Sequence, residues 1–214
     1  TGAEALLRWI HPQHGFVSPE DFVRTAEETG HIRPLSEWVL RQVETDRAAF
    51  VEQGHDIRMA VNLSGRLLTD SEFLDWSIEF LGDQASAYCF EVTETAVIDD
   101  PALALANIQK LRDAGIEISI DDYGSGLSSL SYLKQIPAHE LKIDKSFVMA
   151  MQSGSSDALL IKSTIDLAHS LGMTVTAEGV ESGEILALLA GMGADSAQGY
   201  FISRPQKLAD VLAL

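Results

Sequence analysis

Six places along this sequence put a carboxylate, an amide or an ammonium directly after a short apolar run. Asn62 ends one run, Glu91 and Glu94 a second, Asp121 and Asp122 a third. Lys142 and Asp144 follow a fourth, Glu178 and Glu181 a fifth, and Gln198 a sixth. Several carboxylates gathered at one site repel each other. Either some hold protons, or cations hold them together. Oxygen-only ligands favour Mg²⁺ or Mn²⁺ over zinc, which prefers His and Cys. The adjacent Asp121-Asp122 pair fits two ions, because one carboxylate can bridge both while its neighbour binds one. That is the arrangement of two-metal phosphodiesterases and nucleases.

Each of these residues also has a plain structural reading. Asp144 suits a helix N-cap. Glu94 suits a solvated turn, and Asn62 in Asn62-Leu63-Ser64 suits a turn former. Asp121-Asp122 followed by Tyr123-Gly124-Ser125-Gly126 suits a glycine turn. His11 and His14 lie in His11-Pro12-Gln13-His14-Gly15, which cannot be a helix interior, so they read as loop residues rather than ligands. There is no Gly-x-Ser-x-Gly elbow, and neither common glycine-rich phosphate motif is present.

The elements that must position these groups alternate. Strand-like runs cover 3–9, 57–63, 88–93, 117–121, 140–143, 173–177 and 195–198, seven in all. Helix-like runs cover 34–53, 71–81, 101–114, 157–171, 183–192 and 207–212, with a further start at Ser18-Pro19. Gly115, Gly172 and Gly193 stand where three of the helices stop. The cluster at 152–156 reads as a surface loop. Such alternation predicts a parallel sheet, either open and doubly wound or closed as a (β/α)8 barrel. Strand ends that all turn polar favour the barrel, where they converge on one rim.

Composition narrows the partners. The 214 residues include 15 Lys+Arg and 32 Asp+Glu, a formal net charge of −17. A surface this acidic disfavours grip on nucleic-acid polymers and docking on anionic lipid. A single cysteine, Cys89, precludes an internal disulfide and fits a reducing, cytoplasmic compartment. No apolar stretch reaches membrane-spanning length, and no basic-then-apolar leader opens the chain. The first residues read as a strand already under way, as in a domain excised from a longer protein.

The ordered motifs resemble one family. Glu4-Ala5-Leu6-Leu7-Arg8-Trp9 is similar to the signature that names the EAL domain family, phosphodiesterases of the bacterial second messenger cyclic di-GMP. Ala26-Glu27-Glu28-Thr29-Gly30, Asn62-Leu63-Ser64, Glu91-Val92-Thr93-Glu94-Thr95 and the run from Asp121 to Leu130 resemble its following motifs. Leu141-Lys142-Ile143-Asp144, Ala177-Glu178-Gly179-Val180-Glu181 and Gln198-Gly199-Tyr200-Phe201 complete the series. Tyr123, Ser125 and Leu127 stand where the family commonly has Phe, Thr and Tyr.

The resemblance implies a (β/α)8 TIM-like barrel whose first strand is antiparallel. This chain begins after that strand, so residues 1–214 are expected to form one N-terminally truncated EAL-type domain. It implies two Mg²⁺ or Mn²⁺ ions, with Ca²⁺ inhibitory. Glu4, Asn62, Glu91 and Asp121 would bind one ion; Asp121, Asp122 and Glu178 would bind the other. Lys142 and Glu178 would position or deprotonate the attacking water, and Gln198 would order the water network. Glu94 would hold the loop from Asp122 to Ser128. Arg8 would contact a substrate phosphate beside Leu7, with Asp144 and Glu181 supporting the site. The implied reaction is hydrolysis of cyclic di-GMP to linear pGpG, in a homodimer. The alternatives are a receptor that only binds cyclic di-GMP and a protein-interaction scaffold that ignores it.

Overall fold

The computed structural model describes residues 2–97, 100–124, 133–151 and 155–213. Nine strands are present among them: β1 (Gly2–Ala5), β2 (Trp9–His11), β3 (Gly15–Val17), β4 (Arg58–Asn62), β5 (Tyr88–Thr93), β6 (Glu117–Tyr123), β7 (Glu140–Ile143), β8 (Thr174–Ala177) and β9 (Ser196–Ala197). Eight α-helices accompany them: α1 (Pro19–Glu28), α2 (Ile32–Glu52), α3 (Ser71–Leu81), α4 (Pro101–Asp113), α5 (Lys145–Ala150), α6 (Ser155–Ser170), α7 (Gly183–Met192) and α8 (Leu208–Val211).

Seven strands form one sheet in the order β1-β4-β5-β6-β7-β8-β9, every neighbouring pair parallel. These are the seven expected. Successive side chains on a strand point to opposite faces. One face carries Met59, Val61, Tyr88, Phe90, Val92, Ile118, Ile120, Leu141, Ile143 and Val175, all buried. Helices cover it with Leu40, Phe73, Leu74, Ile108, Leu111, Ile161 and Ile165. The other face carries Arg58, Glu117 and Glu140, and above them Glu91, Asp121 and Lys142.

That second face is concave. Arg58 on β4 pairs with Glu117 two strands away and with Glu140 three strands away, the latter at 3.9 Å. Such chords cross the inside of a curled sheet. Gln198, just past β9, donates to Glu4 on β1 at 2.7 Å, so the two edge strands face each other across the opening. The sheet is a (β/α)8 TIM-like barrel lacking one strand, as expected. Its inside departs from the usual layers of branched apolar residues, being filled by charges that pair across it.

Two local features differ from the expected elements. The strand expected over 3–9 leaves the sheet at Ala5, and Trp9–His11 pairs instead with Gly15–Val17 as an antiparallel hairpin. His11 Nδ1 accepts from the backbone N–H groups of Gln13 and His14 at 3.1 and 3.2 Å, so this histidine shapes the hairpin turn. Helix α5 is absent from the expected helical runs, signalled only by the cap reading of Asp144, because six residues show no period. The helix start expected at Ser18-Pro19 is that of α1, with Pro19 in its first turn, but the Ser18 side chain makes no cap bond. Asp70, Asp100 and Ser182 accept from the third N–H of α3, α4 and α7. The expected loop from Ser125 to Ser128 and residues 152–154 lie outside the described residues; Ser155 and Ser156 begin α6. Among the described residues no helix is long and apolar enough to cross a membrane.

Candidate active site

The C-terminal strand ends bring one ammonium into the middle of four carboxylates. Lys142, 2% exposed, stands on β7 with its Nζ 2.8 Å from Glu91 Oε1 and 2.7 Å from Glu178 Oε1. Asp121 Oδ1 is at 3.3 Å and Glu4 Oε2 at 3.8 Å. The four come from β5, the end of β8, β6 and β1. Asn62, ending β4, donates to Glu4 Oε1 at 2.9 Å, while Gln198 donates to Glu4 Oε2. Two amides thus hold both oxygens of one carboxylate.

Asp121 and Asp122 would ordinarily point to opposite faces of β6. A register shift between Ile120 and Tyr123 breaks that alternation, and Asp122 takes a positive φ of 55°. Such a conformation is uncommon outside glycine and clusters at functional sites. It places ligand atoms of Asp121, Asp122 and Glu178 within 4.8 Å of one another, a group that could hold a metal ion. Glu91 Oε2 is buried without a hydrogen-bond partner. A deeply buried carboxylate oxygen left open among oxygen donors fits a divalent cation. The residues present therefore suit the implied metal chemistry.

Electrostatics agree with that reading. Burial pushes the Glu91 carboxyl up to about 8, against the pull of Lys142 and with a further push from Glu4. Burial likewise lifts Glu178 to about 7, again opposed by Lys142. For Asp122 the rise comes from burial, then from Asp121 and Asp144. Burial alone would lower the Lys142 ammonium, but Glu91, Glu4, Asp121 and Glu178 outweigh it and hold it above the ordinary lysine range. Lys142 is thus a fixed cation, whereas Glu91 and Glu178 hold their protons up to near-neutral pH and can give them up to another cation.

This predicts a pH dependence for metal uptake. Below the raised values the carboxyls carry protons that a divalent ion must displace; above them the ligands are already free. Mn²⁺ affinity is expected to rise between pH 5.5 and 8.5. Titration calorimetry near pH 6.5, in buffers of different ionisation enthalpy, should show net proton release. An affinity and heat independent of pH and buffer would contradict the assignment of Glu91 and Glu178 as protonated ligands.

The remaining expected residues fall as follows. Asp144 is the helix cap foreseen for it, its Oδ1 capping α5 through Ser146 N at 2.9 Å, and its carboxyl also bonds with Asp122. Those bonds, with that of the Ser146 hydroxyl, outweigh burial and keep the Asp144 carboxyl low. Glu94 is half-buried in the 3₁₀ turn Glu94–Val97, near enough to Tyr123 to help raise its phenol. The loop that Glu94 was expected to hold lies outside the described residues beyond Gly124. Glu181 is exposed in the segment before α7. Leu7 and the exposed Arg8 line a cavity of about 480 Å³ that reaches the rim at Asn62, Ser64 and Thr93. The apolar-run argument missed Glu4 and Arg8, since neither follows a completed apolar run; the motif resemblance supplied both.

Comparison with known proteins matches this geometry. The family model described as "EAL domain" matches residues 1–205. The chain is 38% identical over 216 residues to the bifunctional diguanylate cyclase/cyclic di-GMP phosphodiesterase MucR of Pseudomonas aeruginosa, covering 99% of this chain and 32% of that protein. It is also 38% identical over 210 residues to the cyclic di-GMP phosphodiesterase NbdA of the same organism, covering 96% of this chain and 27% of that protein. The chain spans about a third or less of the length of these curated relatives. Among solved structures, the PaMucR phosphodiesterase in complex with c-di-GMP superposes with a TM-score of 0.89 at 37% identity, covering 98% of this chain and 87% of that one. With the motifs, the one-strand-short barrel and the acidic rim in agreement, the chain belongs to the EAL domain family.

Proposed function

We propose that residues 1–214 act as one EAL-type domain that hydrolyses one phosphodiester bond of cyclic di-GMP, giving linear pGpG, with two Mg²⁺ or Mn²⁺ ions. The observation that carries this reading is the Lys142 cluster beside the Asp121-Asp122-Glu178 group, on the rim where barrel active sites lie. The names of the relatives support the substrate class. Glu4, Asn62, Glu91 and Asp121 would hold one ion, and Asp121, Asp122 and Glu178 the other. When bound, such ions acidify water and offset charge on the phosphoryl group.

The protein's own groups divide the remaining work. Arg8 would bind a substrate phosphate at the mouth of the cavity beside Leu7. Lys142, held as an ammonium, opposes negative charge developing on the phosphoryl oxygens but cannot take a proton. Glu178, whose carboxylate contacts Lys142 and belongs to the group with Asp121 and Asp122, is the better proton acceptor for the attacking water. Gln198 and Asn62 fix Glu4, and Asp144 fixes Asp122. Glu94 and Glu181 would support the loops on either side. Homodimerisation follows from the family resemblance, a cytoplasmic setting from that and from the single cysteine, and no direct membrane contact is proposed for this domain.

Titration calorimetry of cyclic di-GMP in Ca²⁺ tests the substrate assignment without turnover. Saturable heat is expected, together with inhibition of Mg²⁺-supported hydrolysis. Absence of heat would leave the scaffold reading, and heat with no hydrolysis in Mg²⁺ or Mn²⁺ would leave the receptor.

A further inference from the structure

Helix α1 ends in a charge that opposes it. Glu27 lies in its last turn, where the partial negative charge of the helix disfavours a carboxylate, and that turn carries no basic residue. Among the described residues no cation lies within 4.0 Å of this half-buried carboxylate. Such a placement works against the helix, and residues that break a local rule are expected where function requires them.

What Glu27 does hold is the turn leaving β4. Ser64 Oγ donates to Glu27 Oε1 at 2.6 Å, a short, charge-assisted bond. Arg66 Nη1 donates to the Glu27 carbonyl at 2.9 Å, and the Arg66 backbone N–H reaches Ser64 Oγ at 3.3 Å. The other side of the turn is pinned too. Leu63 N donates to the Glu91 carbonyl at 2.8 Å. A Cβ on Gly65 would stand 2.9 Å from Ala96, so this backbone packs directly on the 3₁₀ turn of Glu94–Val97. Asn62, two residues before Ser64, is itself exposed, and its amide reaches the cluster through the bond to Glu4. An exposed amide aims correctly only if its backbone is held.

We propose that Glu27 is a positioning residue of the site, clamping Ser64 so that the Asn62 amide faces Glu4 and the acidic cluster. The inference rests on the phosphodiesterase reading, and its test separates the two. The protein and its Glu27→Ala, Ser64→Ala, Glu27→Gln and double-alanine variants are labelled with ¹⁵N. The Asn62 side-chain amide is followed by NMR and Mn²⁺ affinity by calorimetry. Each alanine variant should move the Asn62 signals towards a free amide and weaken Mn²⁺ about ten-fold, the lower end for groups that orient metal ligands. The double variant should be no weaker than either single one. Glu27→Gln keeps an oxygen acceptor for Ser64 and should restore both readouts. The melting temperature of Glu27→Ala should hold or rise, because a charge opposing the helix dipole is removed.

Unchanged Asn62 signals and Mn²⁺ affinity in Glu27→Ala would overturn the proposal. So would a drop in melting temperature that Gln does not rescue, which marks a merely structural role. If Glu27→Ala does not fold, Ser64→Ala decides by the same readouts. If the unsubstituted protein takes up no Mn²⁺, the metal reading fails on its own, and the Asn62 amide still decides the role of Glu27.

Discussion

Replacing Asp121 with asparagine is expected to reduce turnover of cyclic di-GMP on the order of a thousand-fold, comparable to losing a principal charge-stabilising group. Asp121 stands at the junction of the two halves of the site. It lies 3.3 Å from the Lys142 ammonium and also belongs to the group with Asp122 and Glu178. An amide of the same shape keeps the packing but cannot bridge two cations. The fold should survive, because Lys142 retains Glu91 and Glu178 at close range and repulsion within the cluster falls. Far-ultraviolet dichroism and melting close to those of the unsubstituted protein, with turnover lost, are the expected pair of results. Full turnover in the purified variant with Mg²⁺ or Mn²⁺ would remove Asp121 from the metal assignment.

The largest expected effect on stability comes from Gly199→Ala. A Cβ there would sit 2.2 Å from the Val180 carbonyl oxygen and 2.3 Å from its nitrogen. These are backbone atoms, and they are already committed. Val180 N donates to the Gln198 carbonyl, and Phe201 N donates to the Val180 carbonyl, both at 3.0 Å. Relief requires breaking this crossing between the segments after β8 and β9. A loss of about 3 kcal/mol places the substitution among those that strain packed structure. For a chain of this size that lowers the melting temperature by roughly 6–12 °C. The function should suffer as well, because the same crossing carries Gln198 to Glu4. Unchanged melting would show that the two segments separate freely.

The parts legible in the sequence were those with a physical period. The seven sheet strands could be read because their outward positions, such as Phe90, Val92, Ile118 and Ile120, are apolar and buried under helices. Gly115, Gly172 and Gly193 marked three helix ends, and Ser18-Pro19 one start, for the same local reasons. The first strand was read too long because Leu6, Leu7 and Trp9 look like strand residues, whereas the chain there turns out to a hairpin closed by His11. Helix α5 is too short for periodicity to show.

The site was legible as a set of strand-end carboxylates but not as a network. Glu4 and Gln198 are 194 residues apart and meet only because the sheet curls until its edges face. That Asp121 and Asp122 turn to one side depends on a shift in strand register, which no residue spacing encodes. Lys142 could be placed among the rim residues. Its position between Glu91 and Glu178 comes from the stagger of three strands. The polar floor of Arg58, Glu117 and Glu140 carries no signal in residue spacing, because it forms only through chords across the barrel.

The net charge gains a local meaning in this fold. Part of the −17 is gathered around one lysine on one rim, so an anionic dinucleotide is expected to bind with divalent ions rather than alone. The most direct test is to incubate the purified protein with cyclic di-GMP and Mg²⁺ and to separate the nucleotides by chromatography. Linear pGpG should accumulate, and EDTA should stop it. Intact cyclic di-GMP in both Mg²⁺ and Mn²⁺, or hydrolysis undiminished by EDTA, would contradict the account.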